Sequence, residues 1–144
     1  MKILLPVDGS QGALDAVRHA INLTEQGLQA SFVVANVQEP THLYELLMTT
    51  DPQTQEQASQ AAAVDALASA QNLLKRAKLS FECEIATGEA GNTLLAIIER
   101  FGCEAVIMGS HGVGSLHDAL LGSVSQTVLN GSPVPVTVVR PATN

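Results

Sequence analysis

Short apolar runs alternate with helix-like segments along the whole chain, and this alternation constrains the fold more than any other feature of the sequence. A strand that is followed by a helix and then by another strand favours a parallel sheet with helices on both faces. We therefore expect an α/β fold of the flavodoxin-like, doubly wound type, with a five-stranded parallel sheet. No linker or change in composition divides the chain, so residues 1–144 are expected to form one domain. The five expected strands are 2–7, 30–37, 80–86, 103–108 and 134–139.

Helical periodicity predicts four helices between these strands. Ser10 and Asn92 are residue types that cap helix N-termini, and Gly27 and Gly102 suit the positions that follow a helix. The segment 39–54, which contains two prolines, is the expected flexible loop. The predicted helices are 11–26, 53–78, 93–101 and a segment that ends at about 130.

Composition narrows the class of protein. The chain has 46% hydrophobic but only 3% aromatic residues, so the core must be aliphatic, as suits a buried parallel sheet. The net charge of −7 argues against nucleic-acid or anionic-membrane surfaces, and no apolar run approaches the ~18 residues of a membrane span. We expect a cytoplasmic location.

The two cysteines, Cys83 and Cys103, lack metal-binding spacing, so both are expected to be reduced and packed as small hydrophobic residues.

A glycine-rich stretch follows the fourth strand. The apolar run ends at Gly109, and Gly112 and Gly114 follow within six positions. Glycines let a ligand approach backbone N–H groups, so the stretch is interpreted as a cradle for phosphates. It is neither of two standard phosphate motifs, because Ser115 stands where a Walker A loop needs lysine and His117 where a dinucleotide fingerprint needs its third glycine.

Plainer interpretations of the same residues stay open. The stretch could be a strand-to-helix turn whose glycines serve packing, Asp8 could be a helix-capping residue, and Met108 could be part of the core. His111 could contact a phosphate but is better interpreted as an exposed loop residue. Ser115, with His117-Asp118, has the side chains of a hydrolase triad, but these are crowded into one helix start and no catalysis is expected there.

The glycines Gly109, Gly112 and Gly122, with Ser123, form the pattern G-x2-G-x9-G-[ST]. With this pattern the sequence resembles the universal stress proteins, and specifically their ATP-binding branch. The resemblance extends to the first strand and turn at 3–10 and to the last strand at 133–140, and therefore covers nearly the whole chain.

The resemblance implies a role for residues at both ends of the chain. The position of Asp8 would contact the ribose of a bound adenine nucleotide, with Val7 beside it. Apolar residues would line the adenine pocket, and the two glycine-containing segments would hold the phosphates through N–H and hydroxyl groups. The adenine residues would be Pro6, Val37 and Met108, and the phosphate residues Gly109, Gly112, Gly122, Ser123, Val124 and Ser125.

One position departs from the family pattern. The family often carries a basic residue directly after the second glycine, where this chain has Val113, and no Lys or Arg lies between Glu104 and Pro133. Neutralisation of an ATP γ-phosphate would then rest on helix dipoles and Mg²⁺. The expected ligand is accordingly ATP or AMP, without a preference between them.

Pro133 and Pro135 have no N–H to donate to a neighbouring strand, so they are expected in an edge strand or at the start of a strand, and we predict that the last strand lies at an edge. Its apolar segment, Val136 to Val139, invites pairing with a second copy of the chain. The resemblance implies the same homodimer.

The expected function is binding of an adenine nucleotide by a stress-response regulatory protein. The first alternative is a slow ATPase or phosphotransfer protein. No activated nucleophile or general base is evident near the loop beyond Asp8, so at most weak ATP hydrolysis is expected. The second alternative is a dimeric scaffold that binds no nucleotide. A response-regulator receiver would share the layout, but it needs an acidic cluster where Asp8 stands alone.

Overall fold

The structure is a computed structural model that describes residues 1–40, 52–111 and 121–141 and, for residues 52–56 and 59, the backbone only. Gly112, Val113 and most of the expected loop at 39–54 lie outside these ranges. Strands and helices alternate along the described chain. In order they are β1 (Lys2–Pro6), α1 (Gln11–Glu25), β2 (Ser31–Gln38), α2 (Pro52–Arg76), β3 (Phe81–Thr87), α3 (Ala90–Phe101), β4 (Ala105–Gly109), α4 (Ser123–Gly131) and β5 (Val136–Val139).

The five strands form one sheet in the order β3-β2-β1-β4-β5, and every neighbouring pair is parallel. This confirms the predicted five-stranded parallel sheet and places the last strand at an edge. The strand order reverses at β1, because β2 and β3 lie on one side of it and β4 and β5 on the other. In sheets of this kind, ligands bind beyond the carboxyl ends of the strands that flank such a reversal.

Two apolar layers hold the helices against the sheet. Alternate side chains of β1 point to opposite faces, so Ile3 and Leu5 join one layer and Leu4 the other. The first layer lies under α1 and α2, where Val17 and Leu74 are fully buried. The second layer lies under α3 and α4 and contains Ile97, Ile98, Val106 and Val128.

The capping residues predicted from the sequence are found at the helix ends, except at the start of α3. The Ser10 side chain caps α1, and Gly27 and Gly102 have the positive φ angles of 115° and 66° that suit residues after a helix. However, α3 begins at Ala90 rather than at residue 93, because the Glu89 carboxylate rather than Asn92 caps it.

The two cysteines differ in their surroundings. Cys103 is buried in the second apolar layer, as expected, and burial raises the pKa of its thiol. Cys83 is exposed, and its sulfur lies 2.8 Å from the side-chain nitrogen of Gln71, so the prediction that it packs as a hydrophobic residue is wrong. The reason is that β3 is an edge strand and only part of its surface is covered.

In the part of the chain that the structure describes, no helix has the length and apolar character needed to cross a membrane.

Candidate functional site

A cleft opens at the carboxyl ends of β1 and β4, where the strand order reverses. Its empty space, including the mouth, measures about 520 Å³, which lies within the range of small-molecule sites. Most of its walls are apolar. The described lining residues are Pro6, Val7, Asp8, Ser10, Ala13, Ala35, Val37, Ala90, Leu94, Met108, Gly109, His111, Val124 and Ser125.

Most of the residues that the sequence selected meet in this cleft. Three segments that are far apart in the chain supply them: the end of β1, the end of β2 and the stretch from β4 to α4. Gly122 and Ser123 adjoin the cleft through their neighbour Val124, and Gly112 lies outside the described residues. The predicted residues in the lining are Pro6, Val7, Asp8, Val37, Met108, Gly109, Val124 and Ser125.

The segment after β1 is held by hydrogen bonds to β2. The Val7 N–H donates to the Ala35 carbonyl at 2.8 Å, and the buried Asn36 side chain donates to the Val7 carbonyl at 2.8 Å. Asp8 then leaves the sheet, and its carboxylate accepts the Ser10 N–H at 2.9 Å. Asp8 thus shapes the turn before α1 and also lines the cleft, so the capping and binding interpretations are compatible.

Gly109 brings β4 against the first turn of α1. A Cβ atom at this position would lie 2.8 Å from the carbonyl carbon and oxygen of Gly12. Real Cβ atoms do not approach backbone so closely, and glycine is required for this contact. Gly109 therefore serves packing, as the plainer interpretation expected, and it also lines the cleft.

The N-terminus of α4 faces the cleft without a capping side chain. Gly122 is the N-cap residue and makes no side-chain hydrogen bond. Its own N–H donates to the Ser110 carbonyl at 2.8 Å. The N–H groups of 123–125 belong to the first helical turn and have no acceptor within the helix. Three donors and the positive end of the helix dipole therefore lie at this side of the cleft.

The N-terminus of α3, beside the same cleft, is filled by carboxylates of the protein. Glu89 accepts the N–H groups of Gly91 and Asn92 at 3.2 and 2.8 Å, and Glu39 accepts the N–H of Ala90 at 3.1 Å. An anion at this helix would meet negative charge. The start of α1, also at the cleft, is capped by the Ser10 side chain, so among the three helix starts beside the cleft the start of α4 is the one suited to a phosphate.

His111 is placed differently from the sequence expectation. It lines the cleft and is half-buried, with Nδ1 2.9 Å from the Ser110 hydroxyl oxygen. Its Nε2 is fully buried and has no hydrogen-bond partner among the described residues. The interpretation of His111 as an exposed loop residue is therefore wrong, because the glycine contact between β4 and α1 draws this segment inward.

Sequence reasoning also left out residues that shape the cleft. Ala13, Ala35 and Ala90 line it with small side chains, and Leu94 adds an apolar surface from α3. For Ala13, Ala35 and Leu94 the sequence signal was helix or strand periodicity, which indicates the core, whereas Ala90 was expected in a turn. Among the described residues, no group of three or more His, Cys, Asp or Glu side chains could hold a metal ion.

Comparison with known proteins agrees with this architecture. The model of the universal stress protein family matches residues 1–140. A universal stress protein of Methanocaldococcus jannaschii, MJ0531, is 25% identical over 96% of this chain and 81% of its own length. The solved structure of MJ0577 from the same organism has a TM-score of 0.81 at 25% identity, and the match covers 99% of this chain and 97% of that one.

Two further solved structures share the fold and contain adenine nucleotides. One is a universal stress protein in complex with cAMP, with a TM-score of 0.67 and 20% identity over 97% of this chain and 96% of its own. The other is an Arabidopsis thaliana family protein with AMP bound, with a TM-score of 0.68 and 16% identity over 99% of this chain and 93% of its own. The family model spans nearly all of the sequence, and this chain therefore belongs to the universal stress protein family.

Proposed function

We propose that this protein binds an adenine nucleotide in the cleft between β1 and β4 and acts as a regulatory binding protein in the stress response. The observation that carries the proposal is one apolar cleft that has a carboxylate and an uncapped helix N-terminus at its borders. A flat base suits apolar walls, ribose hydroxyls suit a carboxylate, and phosphate oxygens suit N–H groups. The two structural relatives with bound cAMP and AMP support the choice of adenine.

Each part of the nucleotide has a proposed contact. The base lies between Pro6, Val37 and Met108, the ribose hydroxyls meet Asp8, and the phosphates meet the first turn of α4. Val7 supports this arrangement through its two main-chain hydrogen bonds. The glycines proposed to lie against the phosphates are Gly109, Gly112 and Gly122, and Mg²⁺ would accompany a triphosphate through the phosphates themselves.

The direct test is to identify the nucleotide that the protein carries. Mass spectrometry of the small molecules released from denatured, purified protein should detect an adenine nucleotide. Calorimetric titration of the emptied protein with AMP and with ATP should then give saturable binding heat. Absence of both the released nucleotide and the binding heat would refute the proposal.

Substitution of the ribose contact tests where the nucleotide lies. Asp8→Asn keeps an oxygen for the Ser10 N–H but removes the charge, so the affinity for AMP should fall about tenfold, as for loss of a charged hydrogen bond. Asp65→Asn makes the same change on the exposed face of α2, outside the cleft lining, and should leave the affinity unchanged. Equal affinities for Asp8→Asn and the wild type would place the ribose elsewhere.

Few of the described residues that line the cleft have side chains that could act as catalytic groups. Asp8 is its one acidic lining residue and already accepts the Ser10 N–H. We infer that nucleotide binding rather than turnover is the activity. Phosphate release from ATP that rises linearly with protein concentration would instead support the slow ATPase.

We also propose that two copies associate through β5. This strand is at the sheet edge, so its outer side has no neighbouring strand in the described chain. Val136, Val138 and Val139 are only partly buried within one copy. Pairing with a second β5 would cover them and extend the sheet across the interface.

A further inference from the structure

Ser110 joins three elements around the cleft through its main chain. It is buried with 1% of its surface exposed and directly follows β4. Its N–H donates to the Val139 carbonyl of β5 at 3.1 Å. Its carbonyl accepts both the Gly122 N–H at 2.8 Å and the Ser125 hydroxyl at 3.2 Å. The Ser110 carbonyl therefore attaches the first turn of α4 to the end of β4.

Ser125 completes the attachment with its side chain. Its hydroxyl donates to the Gly109 carbonyl at 2.9 Å as well as to the Ser110 carbonyl, and the residue is only 3% exposed. A serine hydroxyl has one proton to donate, and the oxygens of an ionised phosphate accept hydrogen bonds. The Ser125 hydroxyl cannot serve a phosphate while its proton is shared between two buried carbonyls.

We propose that Ser125 is a positioning residue of the nucleotide site and that its hydroxyl does not bind phosphate. Its two bonds, together with the Gly122 N–H bond to Ser110, fix the first turn of α4 so that the N–H groups of 123–125 point at the ligand. The inference rests on the proposed nucleotide binding and replaces the hydroxyl contact that the family resemblance suggested for this residue. Ser123 is exposed on the same turn, and we assign to its hydroxyl the side-chain contact with the phosphate.

This role predicts effects that appear before any ligand is added. Removal of the Ser125 hydroxyl takes the donor from the Gly109 carbonyl and leaves the Gly122 N–H as the donor that still holds the Ser110 carbonyl, which loosens the joint between β4 and α4. A direct phosphate contact would have no such effect on the ligand-free protein. Native-state hydrogen exchange at the Gly122 amide reports the opening of this joint locally.

The experiment compares Ser125→Ala, Ser123→Ala and Ser69→Ala with the wild type. In Ser125→Ala, the Gly122 amide should exchange about tenfold faster without ligand, and the affinity for AMP should fall about five- to tenfold while adenosine binding changes less than twofold. Ser123→Ala should weaken AMP binding without faster exchange. Ser69→Ala, the same change on the exposed face of α2, should alter neither quantity.

Three results would overturn the inference. Weaker AMP binding in Ser125→Ala with wild-type exchange at Gly122 would make the hydroxyl a direct ligand. Faster exchange with unchanged AMP affinity would mean that the joint does not serve the site. If the wild type binds neither AMP nor adenosine, the proposed function fails and this inference with it, whereas the first two results leave the proposed function intact.

Discussion

At the scale of single residues, two glycines differ in how much the fold depends on the absence of a side chain. Gly109 packs against the backbone of Gly12, which cannot move without displacing α1. Gly131, at the end of α4, would place a Cβ atom 2.7 Å from the Leu95 Cδ1 atom, which is the flexible end of a side chain. Steric cost depends on which atoms must move, and the two positions therefore differ in their tolerance of alanine.

We predict that Gly109→Ala lowers the free energy of unfolding by about 2–3 kcal/mol, since the new methyl group forces β4 and α1 apart. Gly131→Ala is the matched control and should change it by less than about 1 kcal/mol, because Leu95 can adopt another rotamer and alanine favours the helix. Urea unfolding followed by circular dichroism measures both. Similar losses at the two positions would contradict the importance of the contact with Gly12.

At the scale of elements, the starts of α3 and α4 illustrate how similar helices acquire different roles. Both begin beside the cleft, but α3 satisfies its first N–H groups with Glu89 and Glu39, whereas α4 begins at Gly122 and leaves its own available. The sequence pattern of apolar residues is helical in both. The identity of the residue before the first turn, and one carboxylate from another segment, decide which helix can accept an anion.

The edge strand β5 gives the prediction at this scale. Val138→Asp places a charge on the exposed edge, outside the two apolar layers, and should convert the proposed dimer to a monomer. Val64→Asp is the control, since Val64 is 52% exposed on α2, away from β5. Light scattering after size exclusion gives the mass of each variant. A monomeric wild type, or a dimeric Val138→Asp variant, would refute association through β5.

At the scale of the whole molecule, two aliphatic layers stabilise one sheet, and a thiol buried in one of them links global stability to pH. Burial is the main cause that raises the pKa of Cys103; the negative charge of Glu82 raises it further, and the positive charge of Lys2 opposes the rise. The unfolded thiol therefore ionises at a lower pH than the folded one. Since the folded state then holds more protons, stability falls as the pH rises above the unfolded value of about 8.5.

We predict that the wild type loses part of its stability advantage over Cys103→Ala as the pH rises above about 8.5, because only the wild type has the buried thiol that ionises more readily in the unfolded state. Urea unfolding at a series of pH values below and above this point measures the difference at each pH. Cys83→Ala, at the exposed cysteine, keeps the buried thiol and should follow the pH dependence of the wild type. A constant difference between the wild type and Cys103→Ala would show that burial does not shift this group.

The sequence by itself determined the order of strands and helices, the parallel sheet and most helix ends. These features depend on local patterns: aliphatic runs, helical periodicity, the Ser10 cap and glycines such as Gly102. It also selected eight of the residues that line the cleft, through the family resemblance and the rule that ligands bind beyond strand ends.

Only the tertiary structure decided how these residues work together. In the folded protein, Asp8 lies beside the start of α4, and the Ser125 hydroxyl donates to the carbonyls at the end of β4. The Glu39 carboxylate accepts the first N–H of α3, and Nε2 of His111 is buried. Each of these contacts joins separate segments or depends on how tightly they pack. Local residue patterns carry no information on such distances, because the strand order that brings the segments together is set by the packing of the whole sheet.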